Sequence, residues 1–306
     1  MTFDERYRRQ VALLIRLLPI VAGERDFALK GGTAINLFEV DMPRLSVDID
    51  LVYLGLEKRE LTLAAVRRCL ESIASEIRRQ LPGTRVDTSF HKADELRLLV
   101  RAGQEQVKIE CSPVLRGTVE KPQRRETRPG VQETFGFAEV RCVHPVDLYG
   151  GKICAALDRQ HPRDLFDVRH MLVRGMLTRN VFDGFLVYLM SSPRPMSELL
   201  APNMLDLSPS FNGEFIGMTA TGVTLEALEQ ARSDLINTIA GFMTPDDRDF
   251  LIGFKRGEPD WQAFRYPQAS ELPAVRWKLL NLERMSTDKR AAAERRLTDV
   301  LDKMLA

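Results

Sequence analysis

No pair of cysteines in this chain of 306 residues has the spacing of a metal finger or a redox motif. Cys69, Cys111, Cys142 and Cys154 form no CxxC pair, and they read as free thiols in a reducing compartment. The histidines His91, His144, His161 and His170 are scattered and form no ligand cluster. An excess of either charge is also missing: 44 basic against 43 acidic residues leave a formal net charge of +1. That balance excludes a whole-molecule basic field, so any nucleic-acid partner requires a local basic face. No apolar run is long enough to span a membrane. The charged start (Asp4, Glu5, Arg6, Arg8, Arg9) runs straight into a short apolar stretch at 11–18, unlike a secretory leader. The expected location is the cytoplasm. Internal repeats and low-complexity tracts are absent.

What is present is a core-forming composition, 44% apolar with 28% charged residues, in a length that suits two domains. Residues 4–22 have helical spacing through Tyr7, Val11, Leu14, Ile15 and Leu18, with Pro19 marking the end. A short apolar run at 27–29 stops at Gly31-Gly32, and 33–38 reads as a helix with Thr33 as N-cap. Residues 46–54 alternate as a strand, and 57–80 return to helical spacing. Runs at 96–100 and 107–111 around Gly103 predict an antiparallel hairpin. The stretch 116–130 is polar, Pro-containing and basic (Arg116, Lys121, Arg124, Arg125, Arg128), and reads as a loop or flap. Pro145 opens a helix carrying Lys152, and Pro162 breaks it before a second helix over 163–172. Prolines and serines in 191–212 suggest a connection, and 224–243 and 276–305 read as helices. The predicted organisation is α+β: a mixed sheet flanked by helices in 1–190, then a mainly helical domain in 191–306.

The chemistry concentrates on the alternating strand. Two residues apart on a strand share a face, so Asp48 and Asp50 point together, with Val47, Ile49 and Leu51 on the other side. Adjacent carboxylates repel, and a divalent cation relieves the repulsion; the plain alternative is a solvated acidic face. Upstream, Gly31 and Gly32 lie between strand and helix, where glycine admits a phosphate to the backbone and a helix start offers free N–H groups. Thr33 adds a hydroxyl, and Ser46 either faces a phosphate or is an ordinary polar strand residue. In VKIEC, Lys108 and Glu110 share the polar face. Glu110 suits a third carboxylate, while a cross-strand ion pair competes evenly as the reading of Lys108. In DLYGGKICAAL, the glycine pair beside Lys152 costs helix stability, about 1 kcal/mol per glycine, which indicates close approach of another helix or a ligand. Arg163 and Asp167 sit at i, i+4, the spacing of an intrahelical salt bridge, with Asp164 between them.

Taken in order, KGGTAINLF, RLSVDIDLVY, VKIEC and DLYGGKICAALDRQHPRDLFD resemble the AbiEii/AbiGii nucleotidyltransferase toxins, the family that includes the MenT toxins. These segments cover residues 30–167. The resemblance implies the polymerase-β-like nucleotidyltransferase fold with a helical C-terminal lobe. It implies transfer of a nucleoside monophosphate from an NTP to an acceptor, with the 3′ end of tRNA as the expected acceptor. It also implies a separately encoded antitoxin. Asp48 and Asp50 would hold Mg²⁺, or Mn²⁺, with Glu110 at the third acidic position. Lys152 would contact the triphosphate, and Asp167, with Asp164 as the alternative, would match the downstream acidic position. Gly31, Gly32, Thr33, Ser46, Lys108 and Arg163 complete the expected nucleotide contacts. The family often has Gly-Ser where this chain has Gly32-Thr33, and the hydroxyl is kept. Two rival readings are a small-molecule, antibiotic-type nucleotidyltransferase and a nucleotide-binding regulator without catalysis.

Overall fold

The computed structural model describes residues 3–89 and 96–306, so His91 lies outside the described residues. The chain forms two compact units: Met1–His144 with Glu214–Val223, and Pro145–Gly213 with Thr224–Ala306. The first unit's long segment runs to His144 and its short one is Glu214–Val223, while the sequence reading divided the chain at 190/191. The residues that suggested a connection there include a short helix, described below.

The first unit is a mixed sheet with helices. Its strands are β1 (Phe27–Lys30), β2 (Asp48–Tyr53), β3 (Arg85–Ser89), β4 (Arg97–Ala102), β5 (Glu105–Cys111), β6 (Gln123–Glu126) and β7 (Glu139–Cys142). Their order is β3-β4-β5-β2-β1-β7-β6. The β1–β7 and β2–β5 pairs are parallel and the others antiparallel. The hairpin of β4 and β5 turns at Gly103, as its spacing predicts, with φ +63°. The basic segment expected as a loop contains the edge strand β6, paired to β7.

The helices are α1 (Glu5–Ala22), α2 (Gly31–Ala34, continued by a π-turn at Ile35–Glu39), α3 (Arg59–Gln80) and α4 (Pro129–Phe135). The Asp4 carboxylate caps α1 by accepting from the Arg6 N–H at 2.8 Å. Pro19 does not end α1. The helix continues to Ala22 because Ile20 and Val21 are buried and hold the last turn. Helix α2 starts two residues before the expected position, with Lys30 as its N-cap, so Thr33 is internal and its hydroxyl is free for other work. Helices α1 and α3 pack on the sheet, where Ile49, Leu51, Val107 and Ile109 are all but fully enclosed. Each such burial contributes about 1.5–3 kcal/mol. On the other side of β2 and β5, Asp48, Asp50, Lys108 and Glu110 are half-buried.

The 214–223 excursion closes the first unit. Met218 C=O accepts from Leu45 N–H at 2.8 Å, Gly217 C=O accepts from Asp4 N–H at 3.0 Å, and Arg44 bridges to Thr219.

The second unit is helical: α5 (Pro145–Arg159), α6 (Pro162–Val173), α7 (Arg179–Ser191), α8 (Met196–Leu200), the single turn α9 (Ser208–Ser210), α10 (Leu225–Phe242), α11 (Pro245–Arg256), α12 (Pro273–Glu283) and α13 (Thr287–Leu305). Prolines start α5, α6 and α11, where the missing N–H is harmless. The single helix expected over 276–305 is two helices. Helix α5 packs on α6 and α7, α6 on α10, and α11 on α13.

Candidate active site

The glycine turn is built around one carboxylate. Gly31 has φ +73°, and a Cβ there would strike the Asp50 carboxylate. Only glycine meets both demands. At Gly32 a Cβ would lie 2.6 Å from Arg44 Nη2 and 2.9 Å from Ser46 Oγ. The Thr33 hydroxyl donates to the Asp48 carbonyl and lies 3.0 Å from the Ser46 hydroxyl. One hydroxyl carries one proton, so Ser46 is the donor of the second bond. Both hydroxyls are buried and tie the glycine turn to the start of β2. Asn36 Nδ2 donates to Gly32 C=O at 3.0 Å and fixes the turn from inside α2.

Arg44 is the functional candidate that the sequence reading passed over. It is 2% exposed, donates to its neighbour Leu45 C=O at 2.9 Å, and holds its guanidinium beside Gly32. A buried guanidinium next to a glycine turn is an anion-handling feature. The available signal was an arginine two residues before the S-x-D-x-D strand.

On the sheet, parallel register sets Asp48 against Lys108 and Asp50 against Glu110, while antiparallel register sets Lys30 against Asp50. Lys108 Nζ lies 2.9 Å from Glu110 Oε2. Burial by itself would lower the Lys108 pKa, but the bond to Glu110 and the charges of Asp48, Glu110 and Asp50 override it, and the pKa is raised. The ammonium therefore sits in the field of all three carboxylates, on one face. Among the described residues no group of three His, Cys, Asp or Glu side chains is arranged to enclose a metal ion. The donor chemistry nevertheless fits Mg²⁺: two carboxylates, with phosphate and water completing the shell, is its usual protein complement. Asp48 and Asp50 supply that pair, while Glu110 is engaged with Lys108.

In the second unit the structure brings together Lys152, Asp164 and Asp167. Lys152 Nζ is 2.7 Å from Asp164 Oδ1 and 2.9 Å from Asp167 Oδ2. Arg159 clamps Asp164 from the other side, at 2.5 and 3.0 Å. All three core members are buried. Burial acts to raise the Asp164 pKa, but the Lys152 and Arg159 charges win and hold it well below the usual carboxylate range. Asp167 thus pairs with Lys152, and the Arg163 backbone N–H donates to His161 Nδ1, which caps α6. The glycines preceding Lys152 mark an approaching helix: a Cβ on Gly150 would lie 2.8 Å from the Gly184 backbone of α7, and one on Gly151 would lie 3.2 Å from the Tyr188 ring.

Cys111 and Cys142 are buried, while Cys69 and Cys154 are half-buried. All four are free, and burial pushes Cys111 up to about 12.

The model of the nucleotidyl transferase AbiEii toxin family, from the type IV toxin–antitoxin system, matches residues 12–281. The chain belongs to this family. Among solved structures it is similar to MenT4, a nucleotidyltransferase toxin from Mycobacterium tuberculosis, with TM-score 0.59 and 13% identity over 96% of this chain and 93% of that one. That likeness shows the fold. Terminal uridylyl transferase 4 from Trypanosoma brucei with bound GTP aligns at TM-score 0.31 and 15% identity, over 100% of this chain and 93% of that one, too low a score to carry argument. No curated protein matches the chain. The chain is thus a nucleotidyltransferase, and its family implies an NTP substrate and an antitoxin partner. Among the described residues no helix is long and apolar enough to cross a membrane.

Proposed function

We propose that this toxin transfers a nucleoside monophosphate to the 3′ end of tRNA, in a Mg²⁺-dependent reaction held in check by a separately encoded antitoxin. The observation that carries this reading is the placement of Asp48, Asp50 and Glu110 around Lys108, beside a glycine turn with a buried arginine.

Asp48 and Asp50 would hold the cation. When bound, it supplies charge neutralisation at the triphosphate and lowers the pKa of the attacking hydroxyl. The acceptor oxygen forms a bond to the α-phosphorus, the bond from that phosphorus to the α,β-bridging oxygen breaks, and pyrophosphate leaves. The hydroxyl proton passes to a carboxylate of the acidic face. Gly31 and Gly32 let phosphate oxygens approach the backbone, and Arg44 and Lys108 offset their charge. Thr33 and Ser46 act one step back, by holding the turn against β2. Lys152 and Asp167 match the family's lysine and downstream acidic positions, and we assign them catalytic roles on that match.

The acceptor is tested by incubating the toxin with each labelled NTP and total tRNA, and separately with small-molecule acceptors and with the protein alone. Label in tRNA that disappears in Asp48→Ala, with the melting curve unchanged, supports the proposal. Label only in a small molecule, or a fully active Asp48→Ala protein, refutes it.

A further inference from the structure

The five basic residues of the 116–130 segment are poor phosphate readers, because three are used internally. Arg116 is buried and donates to Glu57 C=O at 3.1 Å, Arg124 pairs with Glu139, and Arg125 Nε lies 3.5 Å from Glu39. A better-formed cationic feature lies in the second unit.

Between α8, α11 and α13 is a cavity of about 310 Å³. Lys255, Lys289 and Arg296 line it, along with Met196, Met285 and Leu297, and none of its lining residues is acidic. Two acids of this unit are spent elsewhere: Glu294 pairs with Arg256 at 2.8 Å and Asp302 with Arg248 at 2.6 Å. Lys255 is only 7% exposed. Among the described residues the side chains of Lys255, Lys289 and Arg296 have no hydrogen-bond or ion-pair partner. Lys278 provides a contrast within the same unit. Its half-buried ammonium is satisfied by three backbone carbonyls, those of Ser192, Pro193 and Arg194, at 2.6, 3.3 and 3.1 Å.

The Lys255 side chain is largely buried with no ion-pair partner among the described residues, and Lys289 and Arg296, both exposed at the rim, add like charge beside it. Burial, and then the charge of Arg296, lower the Lys255 pKa. Nothing in the fold requires three cations at this point, and Met, Leu or Gln would fill the space at lower cost. An anion resolves the conflict. The size is that of a small ligand site, and the mixture of cations with a thioether and aliphatic wall suits a phosphate attached to an apolar-faced group.

We propose that this cavity binds the phosphate of a nucleotide, with Lys255, Lys289 and Arg296 around the phosphate and Met196, Met285 and Leu297 against the sugar or base. The nucleotide is either free or one unit of an RNA chain. The RNA source rests on the acceptor proposed above, and the free source does not.

The test is equilibrium binding to the full chain, with no turnover. Inorganic phosphate, AMP and a short oligoribonucleotide lacking a terminal phosphate are titrated into wild type, Lys255→Met and Arg296→Gln. Lys255→Met removes a buried unpaired charge and should melt no lower than wild type. Phosphate or AMP affinity that falls about tenfold or more in both variants establishes the site with a free ligand. Oligoribonucleotide affinity that falls likewise, with a shallower salt dependence, and with phosphate and AMP unaffected, establishes the RNA source. Equal affinities in wild type and variants for all three probes, or no binding of any, overturns the proposal. If Lys255→Met fails to fold, Lys289→Gln on the exposed rim gives the same reading. Because no transfer is measured, this outcome is independent of whether tRNA is the acceptor.

Discussion

Lys108 Nζ lies 2.9 Å from Glu110 Oε2, two residues along the same strand, on the face that Asp48 and Asp50 share through the parallel register of β2 and β5. One ammonium thus compensates three carboxylates. This makes Lys108 a competitor of any cation that the aspartates hold.

Lys108→Met should therefore tighten Mg²⁺ or Mn²⁺ binding by severalfold while lowering NMP transfer. The loss of stability without metal should be small, under about 1 kcal/mol, because the lysine side chain is 33% exposed and solvent screens it. Titration calorimetry with each cation, paired with a transfer assay, reads both effects. Weaker metal binding in the variant would contradict the competition. The raised Lys108 pKa adds stability that is complete below the ordinary lysine value of 10.5 and is lost only as pH rises through the folded value, so it is fully present at neutral pH and gives no pH dependence there.

Gly31→Ala should cost about 1–2 kcal/mol from the left-handed backbone alone, and more from the collision with the Asp50 carboxylate. Transfer should fall further than stability, since relief of the clash displaces Asp50. A variant with wild-type melting and wild-type transfer would show that the turn has no role in placing that carboxylate.

Lys152→Met leaves the buried Asp164 and Asp167 carboxylates without the ammonium they share, and should destabilise by roughly 3–5 kcal/mol. The double variant Lys152→Met, Asp167→Asn should recover part of that loss. Denaturant titration of the single and double variants measures the coupling; additive losses would mean that the pair is not coupled.

The acid limb of stability should track Asp164. Its folded pKa is depressed, so its contribution is present above the ordinary value of 3.8 and is lost as pH falls toward the folded value. Melting temperature against pH should drop more steeply below about pH 4 in wild type than in Asp164→Asn, which starts lower and stays flatter. Parallel curves would place the acid sensitivity elsewhere.

Where a local pattern controls the outcome, the sequence shows it. The alternation through Asp48 and Asp50, the turn at Gly103 and the helix starts at Pro145 and Pro162 depend on neighbouring residues, and the structure has each of them. Strands β3 (RVDTS), β6 (QRRE) and β7 (EVRC) do not announce themselves: each is short, carries few apolar residues, and is held by pairing with another strand rather than by its own pattern. Pro19 misleads for the converse reason, because tertiary burial of Ile20 and Val21 outweighs the local signal. Of the site, the carboxylates and glycines were legible. Arg44 was not, because what distinguishes it is burial against Gly32, which no spacing reveals.

The return of Glu214–Val223 to the first unit bears on the timing of synthesis. Leu45 leads into the strand of Asp48 and Asp50, and its N–H is held by Met218, which is made more than half the chain later. On the ribosome the aspartates therefore emerge long before the backbone clamp upstream of them can close. A chain cut short between Glu110 and Met218 keeps every residue of the acidic face yet lacks that clamp. For this toxin, possession of the catalytic motifs and completion of the fold around them are separate events in the life of the nascent chain.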